Sequence, residues 1–414
     1  MDAVTLSYTN AAAERPRHRD STSVTITRMT YELGQGTGPL KGVKVVEIAG
    51  IGPGPHACMI LADLGADVIR IDRPGGQMLT GGSHDLLNRG RPSAALNLKD
   101  PEAVQTVLDL VEQADVLVEG MRPGVAERLG FGPEDCHARN PRLVYGRMTG
   151  WGQEGPWAHA AGHDMNYIAI TGTLHGLGQV KEKPQFPTNL VGDFGGGSTY
   201  LVIGILAALL ESKVSGQGQV VDAAIVDGTA HLNAMTAAFL ASGGFKEERA
   251  SNLLDGGVPY YDIYETADGE HMSVGALEPQ FYDLFVELLG IADAAPDRYD
   301  PDQADALRTL IADTFRTRTQ AEWCEVFDGT DACVAPILPM TKAFAHPHIK
   351  ERGVFVEKDG YVQPAPAPRF SRTSPSLGLP PFPAAGAHTR EALTAWGIKD
   401  VDGLLDRGVA VQVD

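Results

Sequence analysis

Short apolar runs alternate with longer helical patterns through the first half of the chain. Helices are predicted at His56–Leu64, Ala103–Gln113 and Ser198–Glu211. The predicted strands lie before, between and after them, at Val43–Ile48, Ala66–Ile71, Val116–Glu119, Val144–Met148 and Val220–Ala223. Strands that alternate with helices favour a parallel sheet covered on both faces. The pattern therefore predicts an α/β fold built on such a sheet.

The pattern changes near residue 258. Tyr260–Tyr264 and His271–Val274 flank an Asp268-Gly269 turn, which is typical of a β-hairpin, and helical patterns follow it. The Pro-rich stretch Gln363–Pro383 predicts an extended, wrapping segment. The resulting division is a flexible extension at 1–37, a large domain at 38–225 completed by 365–414, a linker at 226–257, a small α+β domain at 258–345 and a linker at 346–364.

Composition and charge exclude several classes of protein. Lys and Arg number 34 against 53 Asp and Glu, a net charge of −19, which argues against a broad nucleic-acid-binding surface. Four scattered cysteines without C-x-x-C spacing favour a reducing cytoplasm and no zinc site. The longest apolar run, Tyr200–Leu210, has eleven residues, about half of the ~20 that span a bilayer, so we expect no membrane segment.

A glycine-rich loop follows the first predicted strand, and Asp72 lies twenty residues after Gly52, which imitates a dinucleotide-binding motif. The third glycine of that motif is missing, because Pro55 and Ala57 occupy the two positions where it could stand. Prolines in the loop also remove N–H groups that a pyrophosphate needs. We expect the loop to form a pocket floor or a subunit contact, and an NAD-dependent oxidoreductase is a weaker alternative.

Three residues are candidates for acid–base chemistry. Asp193 lies in a Gly192–Gly197 motif before the long apolar helix, whose first N–H groups are expected to point outward unpaired. Asp is also a favoured helix cap, but a cap does not need three following glycines, which weaken the first turn. His163 lies in a polar loop, and an imidazole can hold or release a proton near neutral pH. Glu278, before Pro279, is either a cap or a carboxylate that reaches His163 from the other domain.

Several basic residues of this acidic chain follow predicted strands. Arg73, Lys99 and Arg122 lie at or just after strand ends, and Arg128 follows Arg122 by six residues. In open α/β sheets that edge is the ligand crevice, and a few cations there suit a phosphorylated ligand. For any single one of them, an ordinary surface ion pair is an equal alternative.

Together these motifs resemble the family III CoA-transferase superfamily and, within it, the α-methylacyl-CoA racemases. The run from Gly162 to Tyr167, followed by Gly192–Gly197, carries the resemblance, which extends over nearly the whole ordered chain. It implies a Rossmann-like large domain and an interlocked homodimer with the active site between the large domain of one subunit and the small domain of the other. It implies His163 and Asp193 as the acid/base pair and Glu278 as the group that orients His163. The implied CoA contacts are Arg73, Leu96, Asn97, Leu98, Lys99, Gly120, Met121, Arg122, Arg128, Gly162, Asp164, Met165, Asn166 and Tyr167.

The resemblance poses a chemical problem that two groups can solve. Inversion at the α-carbon of a 2-methylacyl-CoA thioester needs one proton to leave one face and another to arrive on the opposite face. We hypothesise that His163 and Asp193 take one face each, while the opening helix N–H groups hold the enolate oxygen. No metal or redox cofactor is expected, since CoA is part of the substrate. The alternatives are a CoA-transferase that uses Asp193 as a nucleophile to form an anhydride, and a non-catalytic CoA-binding protein.

Overall fold

The computed structural model describes residues 31–76 and 82–413, and its strands form three sheets. The strands are β1 (Lys44–Ile48), β2 (Asp67–Asp72), β3 (Ser93–Leu96), β4 (Val116–Glu119), β5 (Val144–Thr149), β6 (Val220–Ala224), β7 (Tyr261–Glu265), β8 (His271–Gly275), β9 (Val334–Pro336), β10 (Phe355–Lys358), β11 (Tyr361–Pro364) and β12 (Ala410–Val411).

The helices lie between these strands and after them. They are α1 (Pro53–Asp63), α2 (Pro101–Val111), α3 (Val125–Leu129), α4 (Pro133–Arg139), α5 (Asp164–Ile170), α6 (Thr199–Ser215), α7 (Ile225–Leu232), α8 (Ala234–Ala241), α9 (Pro279–Leu289), α10 (Ala304–Phe315), α11 (Gln320–Phe327), α12 (Met340–Ala343), α13 (Pro347–Glu351), α14 (Thr389–Ala395) and α15 (Val401–Asp406).

A seven-stranded sheet with the order β12-β3-β2-β1-β4-β5-β6 is the centre of the fold. All its pairs are parallel except that of β12 with β3, so the C-terminal strand closes one edge of a sheet begun by the N-terminal part of the chain. The inner strands β2 and β4 are buried along their whole length, as expected for a parallel sheet covered on both faces. The strand order reverses between β1 and β4, and open α/β sheets bind ligands at the carboxyl edge of such a switch point.

The large sheet separates two apolar cores. On one face Val46 and Leu117 pack with the fully buried Trp396, which follows α14. On the other face Val45 and Val68 pack with Leu201 of α6. Helices on both sides therefore fix the sheet and hold its carboxyl edge in place.

A second unit is built on the antiparallel sheet β7-β8-β9, with Tyr261 paired to Gly275, which confirms the predicted hairpin. Phe285, Phe315 and Trp323 of the helices after it form its core. This α+β unit carries Glu278 at the start of α9.

The helix after Asn189 begins earlier than predicted. A π-helical segment, Leu190–Ser198, precedes α6 directly, and we call it the Asp193 segment. Two helices, α7 and α8, lie almost entirely within the stretch 226–257 that was predicted as a linker. A Cβ at Gly196 of the Asp193 segment would press on Thr229 of α7, and one at Gly197 would press on Ile225 and Pro53. These glycines are present because other elements approach this helical turn closely.

The combined helical stretch Leu190–Ser215 has 26 residues and, by length and composition alone, could cross a bilayer. Leu201 and Ile205 are nevertheless fully buried against the sheet, and the core helix of a globular protein meets the same criterion. This stretch is therefore weak evidence for a membrane.

The start of the described chain is better packed than the predicted extension implies. Tyr31 and Leu33 pack against the core that contains Trp396, and Gly34 N–H donates to Asp67 Oδ1 at 2.8 Å. Residues 31–37 therefore belong to the packed structure, while residues 1–30 of the extension lie outside the described residues.

Candidate active site

A cavity of about 760 Å³ opens at the carboxyl edge of the large sheet, around the switch point between β1 and β4. Loops that follow β1, β2, β4 and β5 line it. His163 and Asp193, which are thirty residues apart in the chain, both line this one cavity. The fold thus brings together the two groups that the sequence analysis proposed as an acid/base pair.

His163 is the residue immediately before α5. Its N–H donates to Asn166 Oδ1 at 3.0 Å, and Asn166 N–H donates back to His163 O at 2.8 Å, so a reciprocal cap fixes the backbone of this turn. The His163 side chain is exposed to the cavity. Asn166 therefore holds the turn that presents the imidazole.

An aromatic cluster supports the same turn. Tyr167 packs edge-on against Trp151, and its hydroxyl donates to Gly162 O. A Cβ at Gly150 or Gly162 would overlap the Tyr167 ring, so both glycines are required for this packing. Trp151 was not among the residues singled out in the sequence, although it follows a predicted strand directly.

Asp193 lies inside a helical turn and not at a helix cap. Phe194 N–H bonds to Asn189 O at 3.3 Å, and Asn189 Nδ2 donates to Asp193 Oδ2 at 3.2 Å. The backbone of Gly52 approaches the same carboxylate so closely that a Cβ there would lie 3.2 Å from Oδ2. Gly52 also has φ +72°, a second reason for glycine in the loop after β1.

The first N–H groups of the helix were expected to be unpaired, but two N–H groups at the start of the Asp193 segment have a partner. Asp164 Oδ1 accepts the Asp193 N–H at 2.7 Å, and Gly192 N–H also bonds to this carboxylate. These two N–H groups therefore already have a partner, and holding an enolate oxygen would require them to give up Asp164.

The surroundings of Asp193 favour its protonated form. Burial raises the pKa of Asp193 above its ordinary value, and the negative charge of Asp164 raises it further. The hydrogen bond from Asn189 and the proximity of His163 act in the opposite direction, and burial outweighs them. A raised pKa brings this carboxyl closer to the range in which it can both donate and accept a proton.

His56 ties the Asp193 segment to α1. Its ring stacks on Phe194 with 4.2 Å between ring centroids, and its Nδ1 lies 2.6 Å from Ser198 Oγ. Burial lowers the pKa of His56 to about 4, and the nearby Arg89 and Arg91 add to the effect. The imidazole is therefore neutral near pH 7 and serves as a packing and hydrogen-bonding group.

The predicted CoA contacts divide into two sets. Arg73, Gly120, Met121, Arg122, Gly162 and Tyr167 line the cavity, whereas Leu96, Asn97, Leu98, Lys99, Arg128, Asp164, Met165 and Asn166 are not among the described residues that do. Asn97, Lys99 and Arg128 are exposed, so their predicted contacts stay open.

Two of these predictions need correction at the level of the side chain. Leu96 is fully buried in the core, and its backbone pairs with Ala410 of β12, so its side chain cannot contact CoA. Asp164 is only 6% exposed, and its carboxylate bonds to the Asp193 segment, so little of its side chain is accessible to CoA.

Glu278 precedes Pro279 at the start of α9, as predicted, but its carboxylate accepts no hydrogen bond from the described first turn of that helix. The side chain is exposed, and it is not one of the described residues that line the cavity around His163. The helix-cap interpretation is therefore wrong for this side chain, and within one chain Glu278 stands apart from the acid/base pair.

Asp72, the acidic residue that imitated a dinucleotide-binding motif, is already bonded to other side chains of the protein. Arg70 Nε lies 3.2 Å from both carboxylate oxygens of Asp72, and Ser93 Oγ donates to Asp72 Oδ2 at 2.7 Å. Arg70 also pairs with the buried Glu47. A carboxylate held in this buried network has few acceptor sites left for a ribose, which weakens the NAD alternative further.

Other cavity residues had no distinct signal in the sequence. Ile51, Ala158, Ala160, Ala161 and Ile225 are small or apolar, and such residues look the same in a core and in a ligand pocket. In residues 31–76 and 82–413, no group of three or more His, Cys, Asp or Glu side chains is arranged to hold a metal ion.

The fold and the site define a family of enzymes that act on CoA compounds: residues 40–389 match the model of CoA-transferase family III, and the chain belongs to that family. The chain is 43% identical to human alpha-methylacyl-CoA racemase over 364 residues, which cover 86% of this chain and 93% of the relative. Human succinyl-CoA:glutarate CoA-transferase is 29% identical over 400 residues, with 90% of each chain covered. A solved structure of a CAIB/BAIF family protein from Brucella suis superposes with a TM-score of 0.74 at 27% identity, covering 87% of this chain and all of that one.

Proposed function

We propose that the protein interconverts the (R) and (S) epimers of 2-methylacyl-CoA thioesters by removing and returning the α-proton. The observation that carries this proposal is the shared cavity: an imidazole and a carboxyl, held on two different elements, line one space of about 760 Å³. The greater similarity to a racemase than to a CoA-transferase supports the same conclusion.

In this mechanism the thioester lies with its α-carbon between His163 and Asp193. The deprotonated member of the pair removes the α-proton from one face, and the negative charge moves onto the thioester oxygen as an enolate. The protonated member then delivers its proton to the opposite face, which inverts the carbon. After one turnover the two groups have exchanged protonation states, so the enzyme is ready for the opposite epimer.

The chemistry of the substrate explains why two side chains suffice. The thioester carbonyl accepts the charge of the carbanion, and CoA provides binding energy far from the reacting carbon. Arg73 and Arg122 line the cavity and are suited to the phosphate groups of CoA. We therefore propose no resident metal or redox cofactor.

CoA transfer is the second candidate, because the same Asp193 carboxylate could attack the thioester and form an anhydride. That reaction needs one nucleophile and an acid acceptor, and it assigns no role to an imidazole beside the carboxylate. The presence of His163 in the cavity therefore favours inversion over transfer.

Incubation of the enzyme with an (R)-2-methylacyl-CoA in D₂O separates the two candidates. Inversion predicts the (S) epimer with deuterium at the α-carbon, in the absence of any carboxylic acid acceptor. Transfer of CoA to an added acid, with no α-proton exchange, would replace inversion with the transferase mechanism. Binding of the thioester with neither reaction would indicate a non-catalytic CoA-binding protein.

A homodimer is part of the proposal, and two observations support it. Glu278 stands outside the cavity of its own chain, so a second copy is needed to bring this carboxylate to His163. Seven of the eight residues of α8 are apolar, all but Thr236. Met235 and Phe239 are exposed, and none of the eight, all of which the structure describes, is buried. A second subunit is the cover that this surface requires.

We also propose a cytoplasmic location. The four cysteines are unpaired, as expected in a reducing compartment. Fractionation of the cells that make this protein, with immunodetection of the chain, tests the location directly.

A further inference from the structure

We propose that Asp164 is the positioning residue for Asp193: its carboxylate holds the start of the Asp193 segment and thereby fixes the distance between the two proton-transfer groups. The inference rests on the proposed inversion reaction and adds to it a residue that does not touch the substrate. The family resemblance implied that this residue contacts CoA, whereas its carboxylate is buried against the Asp193 segment.

The Asp164 carboxylate accepts hydrogen bonds from the start of the Asp193 segment. Its Oδ1 accepts the backbone N–H of Asp193 at 2.7 Å and its carboxylate also bonds to the N–H of Gly192. These donors belong to the first turn of a helix, where N–H groups have no partner within the helix. A carboxylate at this position is favourable because it also meets the positive end of the helix dipole.

Close packing at Gly192 fixes the contact between the Asp164 carboxylate and the Asp193 segment. A Cβ at Gly192 would overlap the Asp164 carboxylate and would also lie 2.9 Å from Ile168 Cγ2, so only glycine lets the two elements approach this far. Asp164 is 6% exposed, and its Oδ2 has no hydrogen-bond partner among the described residues. A buried carboxylate with an unsatisfied oxygen is costly, which argues that its position serves the site.

The Asp164 contact also links Asp193 to His163, because Asp164 follows His163 directly in the chain. His163 and Asp164 are consecutive residues at the start of α5. One of them presents the imidazole to the cavity, and the other bonds to the backbone of the residue that presents the carboxyl. The distance between the His163 imidazole and the Asp193 carboxyl is therefore set through one residue, Asp164, and its hydrogen bond. A reaction at two faces of one carbon requires such a fixed distance.

The charge of Asp164 has a second consequence. After burial, it is the largest cause that raises the pKa of Asp193, and His163 and Asn189 lower that pKa. His56 on α1, Tyr167 on α5, Asp222 on β6, and Asp227 and His231 on α7 are further titratable groups on elements packed against the segment, and none is a cause of the shift. Inversion fails when both groups are protonated, so kcat/KM falls as the pH drops through the pKa of Asp193.

The test compares Asp164→Asn and Asp164→Ala with wild type for α-proton exchange in D₂O across pH. D164N keeps an acceptor oxygen but loses the charge, so the acidic limb of kcat/KM should move to lower pH. D164A loses the acceptor as well, so we expect kcat/KM to fall by roughly 10²–10⁴, the range for a misplaced general acid or base. KM should change less than kcat, because Asp164 does not face the substrate.

Asp135→Asn is the matched control, since Asp135 also accepts a backbone N–H at the start of a helix, α4, from Gly132 at 3.1 Å. Amide hydrogen exchange at Gly192 and Asp193 gives a readout that does not depend on activity, and it should accelerate in D164A. A wild-type acidic limb and wild-type exchange rates in both Asp164 variants would overturn the inference. A wild-type enzyme without α-proton exchange would overturn the proposed inversion instead, and the amide measurement would still decide whether Asp164 holds the segment.

Discussion

At the scale of single residues, the site depends on how one carboxyl is balanced between two protonation states. Burial and Asp164 raise the pKa of Asp193, while the Asn189 side chain and His163 lower it. The hydrogen bond from Asn189 Nδ2 to Asp193 Oδ2, at 3.2 Å, stabilises the ionised form. Asn189 and Asp164 therefore act on the same group in opposite directions.

Replacement of Asn189 should move the pH profile in the direction opposite to D164N. In Asn189→Ala the ionised form of Asp193 loses a hydrogen bond, so its pKa rises and the acidic limb of kcat/KM moves to higher pH. The measurement is the pH dependence of α-deuterium incorporation, with the melting temperature as a check on folding. A limb that stays in place, or moves to lower pH, would contradict the role assigned to this hydrogen bond.

At the scale of elements, the Asp193 segment is held from three sides by contacts that leave no room for a Cβ. Asp164 approaches Gly192, Thr229 approaches Gly196, and the backbone of Gly196 in turn approaches Gly228 of α7. His56 completes the arrangement from α1 through Phe194 and Ser198. The position of the Asp193 carboxyl is therefore a property of α1, α5 and α7 together.

A single methyl group in this packing should displace the segment. In Gly228→Ala the new Cβ would overlap Gly196 O, so we expect destabilisation of about 1–3 kcal/mol and a loss of kcat larger than the change in KM. Gly176→Ala is the control, because no atom lies within 4 Å of a Cβ built there. Urea unfolding and steady-state kinetics of both variants test the claim, and equal behaviour of the two would contradict it.

The sequence predicted the elements of this fold better than their contacts. Buried strands such as β2 and β4 are short runs centred on Val, Ile and Leu, and local pattern suffices to find them. The π-helical start of the Asp193 segment could not be found in this way, since its glycines have low helix propensity and only tertiary contacts explain them.

The same limit applied to the candidate site. His163 and Asp193 stood out by residue type and by their motifs, and both line the cavity. The contact between Asp164 and the Asp193 segment could not be predicted from local pattern, because its partner lies 29 residues away in the chain. The burial of the Leu96 side chain was missed because Asn97 and Lys99, in the same predicted stretch, are exposed.

At the scale of the whole molecule, one chain does not complete the proposed site. The cavity at the switch point of the large sheet contains His163 and Asp193, whereas Glu278 is exposed on the small α+β unit. The apolar surface of α8 is exposed in the same chain. We infer that dimer formation both covers this surface and completes the site.

Complementation between two inactive variants tests this inference. Chains with His163→Ala and chains with Glu278→Gln, carrying different tags, are co-expressed, and the mixed dimer is purified through both tags. If the site is shared between subunits, the mixed dimer has one intact site and should show roughly half of wild-type activity. A mixed dimer as inactive as its parents would mean that Glu278 acts within its own chain. An active Glu278→Gln parent would mean that Glu278 takes no part, and a monomer in sedimentation would exclude sharing.

The central claim is that His163 and Asp193 stand on opposite faces of one α-carbon. Stereospecific α-proton exchange in D₂O, measured with His163→Ala and Asp193→Asn on each pure epimer, tests it most directly. We expect both variants to lose inversion, while each still exchanges the α-proton of one epimer without inverting it, a different epimer in the two cases. Inversion that persists in either variant, or exchange of the same epimer in both, would contradict the claim.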